Sequence, residues 1–246
     1  MADNIASQGH KVIIFSLEQS RFELVSKALS RITYETKPSD ARTQAAIIQN
    51  ENIDEVTAKA IEKYQTTIAA NEIIEEGNFN TNVDTIREYI KDYIANTKER
   101  PTIIIDYLQI LAPSDTRLTD KQQIDYNVTT LKKISRDYGI PIIAISSFNR
   151  MNYRQTASYE AFKESGGIEY TADVIFTMQL TALKNNDNIT NEQLNQAKQE
   201  NPRKVQLVCL KNRNGKSYFE INFLYNPVFN YFITEDEWNR QHGNKF

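Results

Sequence analysis

The sequence offers one cysteine, Cys209, and two histidines, His10 and His242, set far apart. A lone cysteine excludes an intrachain disulfide and fits a reducing compartment, and two distant histidines give no zinc constellation. Cys209 reads as a small core residue. No apolar run approaches the ~18 residues of a membrane-spanning helix, and the opening MADNIASQGHK lacks the basic-then-apolar order of a signal peptide. A cytoplasmic protein with no membrane partner is the expectation. Nor is there an excess of positive charge: the net charge is −3, so any nucleic-acid contact has to come from a local patch. What is present, 246 residues with 40% hydrophobic and 25% charged, is enough to bury a sizeable core.

The most informative stretch is residues 100–111, RPTIIIDYLQIL. A run of β-branched residues at 102–105 is too short for a helix, reads as a buried parallel strand, and ends on a carboxylate, Asp106. Residues 11–16 (KVIIFS) repeat the pattern and are closed by Leu17 and Glu18, after which Phe22, Val25, Leu29 and Ile32 fall at helical spacing. Residues 140–146 (IPIIAIS) make a third such strand, reached through a helix with Ile124, Val128, Leu131 and Tyr138 in register and Gly139 at its end. Strand, helix and strand at this spacing form a parallel crossover unit.

Elsewhere, residues 1–7 read as the last turns of a helix with Gly9 past its end, and residues 40–98 as helical around an exposed connection at 71–82. Their apolar stripes are Val56, Ala60, Tyr64 and Ile68, then Val83, Ile86, Ile90 and Ile94. Residues 147–169 form a polar loop with Arg150, Arg154 and Lys163, and 173–180 a fourth strand. Residues 204–211 and 218–224 read as a hairpin closed by a tight Asn214-Gly215 turn. Residues 192–198 are expected to be helical and 229–233 a last strand. With no repeat, low-complexity tract or linker, one domain over 1–246 is the expectation.

Glu18 and Asp106 thus end two strands of one parallel sheet, and if those strands are neighbours both acids face one crevice. One acid can hold Mg²⁺ beside a phosphate chain while the other activates an attacking water. Two simpler readings stand beside this: Glu18 as a cap of the following helix, and Asp106 as a turn residue.

Five stretches then occur in an order familiar from one family: FSLEQS at 15–20, IIIDYLQIL at 103–111, IAISSFNR at 143–150, ESGGIEYTAD at 164–173 and LKNRNG at 210–215. The chain resembles the C-terminal, RecA-like motor domain of DnaB-type replicative DNA helicases, in a phage or prophage branch. The resemblance implies an α/β fold with a three-layer core, a mostly parallel central sheet and a C-terminal antiparallel hairpin, and it allows a short strand within the connection at 71–82. It implies ATP and Mg²⁺ as cofactors, Glu18 as the catalytic glutamate, and Asp106 as the acid that binds Mg²⁺ through water. Lys211 and Arg213 become the basic fingers offered to a neighbouring subunit's terminal phosphate, which calls for a homo-oligomer, expected to be a hexameric ring. Two residues apart on a strand, they would point to the same side. The loop with Asn149, Arg150, Arg154 and Lys163 becomes the contact to single-stranded DNA.

The same resemblance exposes departures. The Gly-rich loop ending in Gly-Lys-Ser/Thr, whose backbone amides and lysine cradle phosphates, is missing; the Gly-Lys-Ser at 215–217 precedes a strand and is a decoy. The chain is therefore expected to begin one helix late, without its first core strand, and to bind ATP poorly alone. Ser147 stands where the family carries a glutamine, and Tyr170 and Thr171 replace a more polar pair. The collar domain that precedes this domain in the family is absent, which leaves primase and helicase-loader contacts open. Two further readings remain: a non-catalytic DNA-binding or ring-assembly module, and another RecA-like ATPase such as a recombinase or clock-type protein.

Overall fold

Runs of isoleucine and valine without polar alternation can be satisfied only when both faces of a strand are covered, and the first half of the chain is built on such runs. The computed structural model describes residues 1–49, 53–78, 80–148, 155–159, 166–184 and 189–243. The chain divides into two units, Met1–Ser147 with Gly166–Thr171, and Phe148–Ser165 with Ala172–Phe246. Among the described residues no helix is long and apolar enough to cross a membrane.

In the first unit β1 (Val12–Ser16), β2 (Glu72–Glu76), β3 (Thr102–Asp106) and β4 (Ile142–Ala144) form a four-stranded sheet of order β2-β1-β3-β4, parallel throughout. The helices are α1 (Ala2–Ser7), α2 (Arg21–Thr36), α3 (Gln44–Gln49), α4 (Glu55–Tyr64), α5 (Val83–Thr97), α6 (Asp120–Tyr138) and α7 (Gly166–Thr171). Val12, Ile14 and Ile104 pack with Leu29 and Ile32 of α2 and Ala60 of α4. On the opposite face Phe15 meets Tyr89 of α5 edge-on, with ring centroids 5.4 Å apart. Ile13, Ile103 and Ile105 are completely buried. Each such side chain contributes about 2 kcal/mol on burial, so the three-layer sandwich is where these strands are most stable.

The chain leaves β1 towards β2 on one side and returns through α5 to β3 on the other, so the strand order reverses at β1. In open α/β sheets the crevice for ligands lies outside the carboxyl ends of the strands at such a point. Local chemistry fixes the helices that frame it. Gly9, at φ +84°, closes α1, its N–H reaching the Ala6 carbonyl at 3.0 Å while His10 N–H reaches Ile5 at 3.3 Å. Ser20 caps α2 reciprocally with Glu23.

The connection at 71–82 holds a short strand, β2, an edge strand paired to β1 over its whole length. Of the stripe expected on α2, Val25, Leu29 and Ile32 face the core and Phe22 does not: Phe22 is 61% exposed, while Ser26, Ser30 and Thr33 are buried beside Leu29 and Ile32. Their hydroxyls donate to the carbonyls of Phe22 (2.6 Å), Arg42 (2.8 Å) and Ser30 (2.7 Å), so small polar residues can face inward at little cost.

The second unit is antiparallel: β5 (Val174–Leu180), β6 (Arg203–Asn212), β7 (Phe219–Asn226) and β8 (Tyr231–Thr234) lie in the order β5-β6-β7-β8, with α8 (Asn191–Gln199) and α9 (Glu235–His242). The expected hairpin is thus the centre of a four-stranded sheet. Its tight Asn-Gly turn does not form. Pairing of β6 with β7 ends at Cys209 and Phe219, and neither Asn214 nor Gly215 adopts positive φ. The reason is that β6 continues to pair with β5 as far as Asn212, which holds the chain straight and opens residues 210–218 into a wider connection.

Asp54 supplies a test of how this frame is held. It caps α4, accepting the Thr57 N–H at 2.8 Å, and pairs with Arg42 Nε at 2.5 Å. The Thr57 amide first and then Arg42 hold its carboxyl at about 2, below the usual 3.8. A depressed carboxylate stabilises the fold above pH 3.8 and loses that contribution as pH falls towards 2. Asp54→Ala is expected to cost about 1 kcal/mol at neutral pH, with the deficit against the parent closing across that acid window in urea melts.

Candidate active site

Parallel register places Ser16 level with Asp106 on one side and with Glu76 on the other. The chain then turns over the strand ends. Leu17 N–H donates to the Asp106 carbonyl at 2.8 Å, Gly77 N–H to the Ser16 carbonyl at 2.8 Å, and Ser16 Oγ to the Gln19 carbonyl at 2.6 Å. Glu18 sits at the exposed crest of this turn and Asp106 at its half-buried base. The peptide bond from Asp106 to Tyr107 is cis. Because Ser20 is the cap of α2, the simpler reading of Glu18 as that cap does not hold.

Burial pushes the Asp106 carboxyl above its ordinary value, the negative charge of Glu18 pushes it further, and Lys27 opposes both. The two acids therefore share one electrostatic field, as two strand-end carboxylates in one crevice must. Lys27 Nζ donates to Gln19 Oε1 at 2.9 Å, which ties α2 back to the residue after Glu18.

The described residues contain no group of three or more acids, histidines or cysteines that could cage a metal. A half-buried carboxylate beside a second negative charge instead suits Mg²⁺, which keeps much of its water and takes one or two carboxylates plus phosphate oxygens. The donor set fits that ion.

Two residues of this site escaped sequence reasoning. Glu76 ends β2, and its Oε1 accepts the Arg21 N–H at 2.6 Å at the start of α2, while Arg21 Nη2 donates to the Ile74 carbonyl at 2.7 Å. Gly77 permits the close approach: a methyl group there would lie 2.3 Å from Leu17 Cδ2 and 3.5 Å from Leu17 Cα. The available signal was the EIIEEG pattern, apolar residues followed by acids as at the ends of β1 and β3, here with a glycine after them.

At the end of β4, Ser147 N–H donates to Gln109 Oε1 at 3.2 Å, and Gln109 Nε2 donates to Ser146 Oγ at 2.8 Å. Gln109 thus brings an amide side chain to the strand end where the sequence has Ser147. In the second unit, Lys211 is the penultimate residue of β6 and Arg213 lies one residue beyond it, so the alternation of a regular strand does not extend to Arg213. Its backbone and side chain are instead held by Asp173, N–H to carbonyl at 2.9 Å and Nη1 to Oδ1 at 2.9 Å. The Gly-Lys-Ser at 215–217 lies in the β6–β7 connection, with Ser217 Oγ accepting the Asn212 N–H at 2.8 Å. The DNA candidates Asn149, Arg150, Arg154 and Lys163 lie outside the described residues.

Removing the charge at position 18 reports directly on the shared field. In Glu18→Gln the Asp106 carboxyl is expected to titrate at lower pH than in the parent, followed by carboxyl carbon NMR. An unchanged titration would mean that the two acids do not face each other.

The model of the DnaB-like helicase C terminal domain family matches residues 1–234. A probable replicative DNA helicase of Trieres chinensis is 23% identical over 91% of this chain and 47% of its own length. The replicative DNA helicase DnaB of Geobacillus stearothermophilus is 26% identical over 87% of this chain and 44% of its own. The chain thus spans about half the length of these curated relatives. The solved structure of a DnaB-like replicative helicase and its interactions with primase superposes with a TM-score of 0.76 at 19% identity, covering 94% of this chain and 52% of that one. A solved ATPase domain superposes equally well, at a TM-score of 0.76 and 19% identity over 94% of this chain and 77% of its own. With a parallel sheet that reverses order at β1, acids at the crevice, and a family match over residues 1–234, this chain belongs to the DnaB-like helicase C-terminal domain family.

Proposed function

We propose that residues 1–246 are the motor part of a replicative DNA helicase, coupling ATP hydrolysis to movement on single-stranded DNA in the cytoplasm. The observation that supports this best is the pairing of Glu18 and Asp106 in one field at the point where the strand order reverses. Phosphoryl transfer to water needs a positioned base and a site for charge neutralisation, and the exposed and half-buried acids divide those tasks. Asp106 would hold Mg²⁺ through its water shell, and the ion supplies neutralisation of the phosphate oxygens. Glu18 orients and deprotonates the attacking water. Lys211 and Arg213 stabilise the developing charge on the terminal phosphate of a neighbouring copy, which makes the working unit a ring, a hexamer in this reading. Asn149, Arg150, Arg154 and Lys163 hold the DNA backbone without reading sequence.

Phosphate anchoring is the remaining requirement. Residues 1–246 contain Gly-Lys-Ser once, at 215–217, with β7 following. We therefore propose that the chain on its own binds ATP weakly, and that turnover requires a segment that supplies the anchor. That same observation favours the second reading, a non-catalytic DNA-binding or ring-assembly module.

Joined to a phosphate-loop segment, the chain is expected to hydrolyse ATP with stimulation by single-stranded DNA. Glu18→Gln should lower kcat about a hundredfold or more with KM little changed, and Arg213→Ala should abolish turnover without weakening ATP binding. A joined protein that binds ATP yet does not hydrolyse it would support the second reading. Micromolar ATP binding by residues 1–246 alone, read by calorimetry, would refute the missing anchor.

A further inference from the structure

Leu210 is the extra residue of a bulge. Across the β5–β6 ladder Ile175 opposes Lys211 and Phe176 opposes Cys209, which leaves Leu210 without a partner there, and the β6–β7 ladder ends one residue earlier, at Cys209. A bulge re-aims the side chain that follows it, here Lys211. The Leu210 carbonyl is taken by Tyr159, whose hydroxyl donates to it at 2.6 Å.

Tyr159 belongs to a short stretch, residues 155–159, stitched to the same sheet at further points. Thr156 Oγ1 donates to the Leu183 carbonyl at 3.0 Å, and Ala157 N–H donates to Gln179 Oε1 at 2.6 Å. Gln179 Nε2 then donates to Gln206 Oε1 at 3.0 Å, and Gln206 Nε2 to Glu220 Oε2 at 3.1 Å and Asn222 Oδ1 at 3.0 Å. Lys184 closes the row on Glu220. The Ala157 N–H can only donate, so it fixes the orientation of both amides: the bonds run one way from Ala157 to Glu220 and Asn222, and Lys184 donates to Glu220 from the other end. Gln179 and Gln206 are 6% and 1% exposed. An apolar pair would be buried at lower cost there; the amides instead supply a rigid, directional attachment for the 155–159 stretch.

We propose that Tyr159 is a positioning residue that joins the nucleic-acid stretch to the basic end of β6, by pinning the bulge that aims Lys211. This rests on the DNA reading above, since residues 155–159 lie in sequence between Arg154 and Lys163. Movement of that stretch on single-stranded DNA is transmitted through one hydrogen bond to the Leu210 carbonyl, while the amide row keeps the stretch in register with the sheet.

Tyr159→Phe removes only the hydroxyl, and amide hydrogen exchange with and without an oligothymidylate reads the result. In the parent, the oligothymidylate is expected to slow exchange across residues 210–215. In Tyr159→Phe, exchange there should be about fivefold faster without DNA, the loss of one hydrogen bond, and should not respond to the oligothymidylate. Affinity by fluorescence anisotropy should stay within about twofold, and exchange in β1 and β3 should match the parent, which reports an intact fold. Equal protection of 210–215 in both proteins with intact DNA binding would overturn the coupling alone. No oligothymidylate binding by the parent would overturn the DNA reading, and the coupling with it.

Discussion

Everything functional in the first unit depends on the parallel pairing of β1 with β3, because the register that sets Ser16 opposite Asp106 is what brings two negative charges together. Apolar burial enforces that register. With Ile13 opposite Ile103 and Phe15 opposite Ile105 on one face, and Ile14 opposite Ile104 on the other, a slip of one residue would move each side chain into the wrong layer. The Leu17 amide bonded to the Asp106 carbonyl then continues the ladder one step past the strand, and Glu18 falls at the crest. Hydrophobic energy is thereby spent on an unfavourable electrostatic arrangement. Asp106, pushed up by burial and by Glu18, is under a load that a divalent cation with bound phosphate would relieve.

The crevice has a third wall that makes this arrangement rigid. β2 pairs with β1 out to Glu76, and the glycine after it lets the chain pass close against Leu17. Glu76 bonds the first amide of α2, and Ser20 with Glu23 satisfies others, so the helix start is compensated by protein acids. The positive end of α2 is therefore committed to holding the turn that carries Glu18. A turn anchored at Ser16, Gln19, Ser20 and Glu76 can keep a carboxylate in place without burying it, which leaves Glu18 open to water.

How much of this was legible in the sequence follows from which forces write themselves as patterns. The β-branched runs at 11–16, 102–105 and 140–146 carry the parallel strands, because burial on both faces needs unbroken apolar residues. The acids that end two of them were equally visible. β2 was harder: an edge strand has one open side and reads Glu-Ile-Ile-Glu-Glu, a pattern that serves a loop equally well. Leu29 and Ile32 marked the core face of α2, but its buried Ser26, Ser30 and Thr33 did not, because they return their hydroxyls to backbone carbonyls, a bond that hydropathy does not register. Asn214-Gly215 signals a tight turn on local chemistry alone, and tertiary pairing of β6 with β5 overrode it. The bulge at Leu210 has no sequence signature, since it arises from the mismatch between two ladders.

The second unit buries amides where a sheet would ordinarily bury methyl groups. β5 and β6 meet with apolar pairs on one face, Phe176 by Cys209 and Met178 by Leu207, and with Thr177 by Val208 and Gln179 by Gln206 on the other. A wholly apolar second face would hold the 155–159 stretch by contact area alone, and contact area tolerates sliding. Hydrogen bonds do not: shifting Ala157 by one residue would orphan Gln179 Oε1 in a buried site at a cost of about 1–3 kcal/mol. The polar row therefore buys register at some expense of stability, and the register it fixes is the one in which the Tyr159 hydroxyl meets the bulged carbonyl before Lys211. In the first unit apolar pairing sets the register of two acids, and in the second a polar row sets that of a short segment against the sheet. Each force is used where it discriminates best, area between long strands and direction along a short segment.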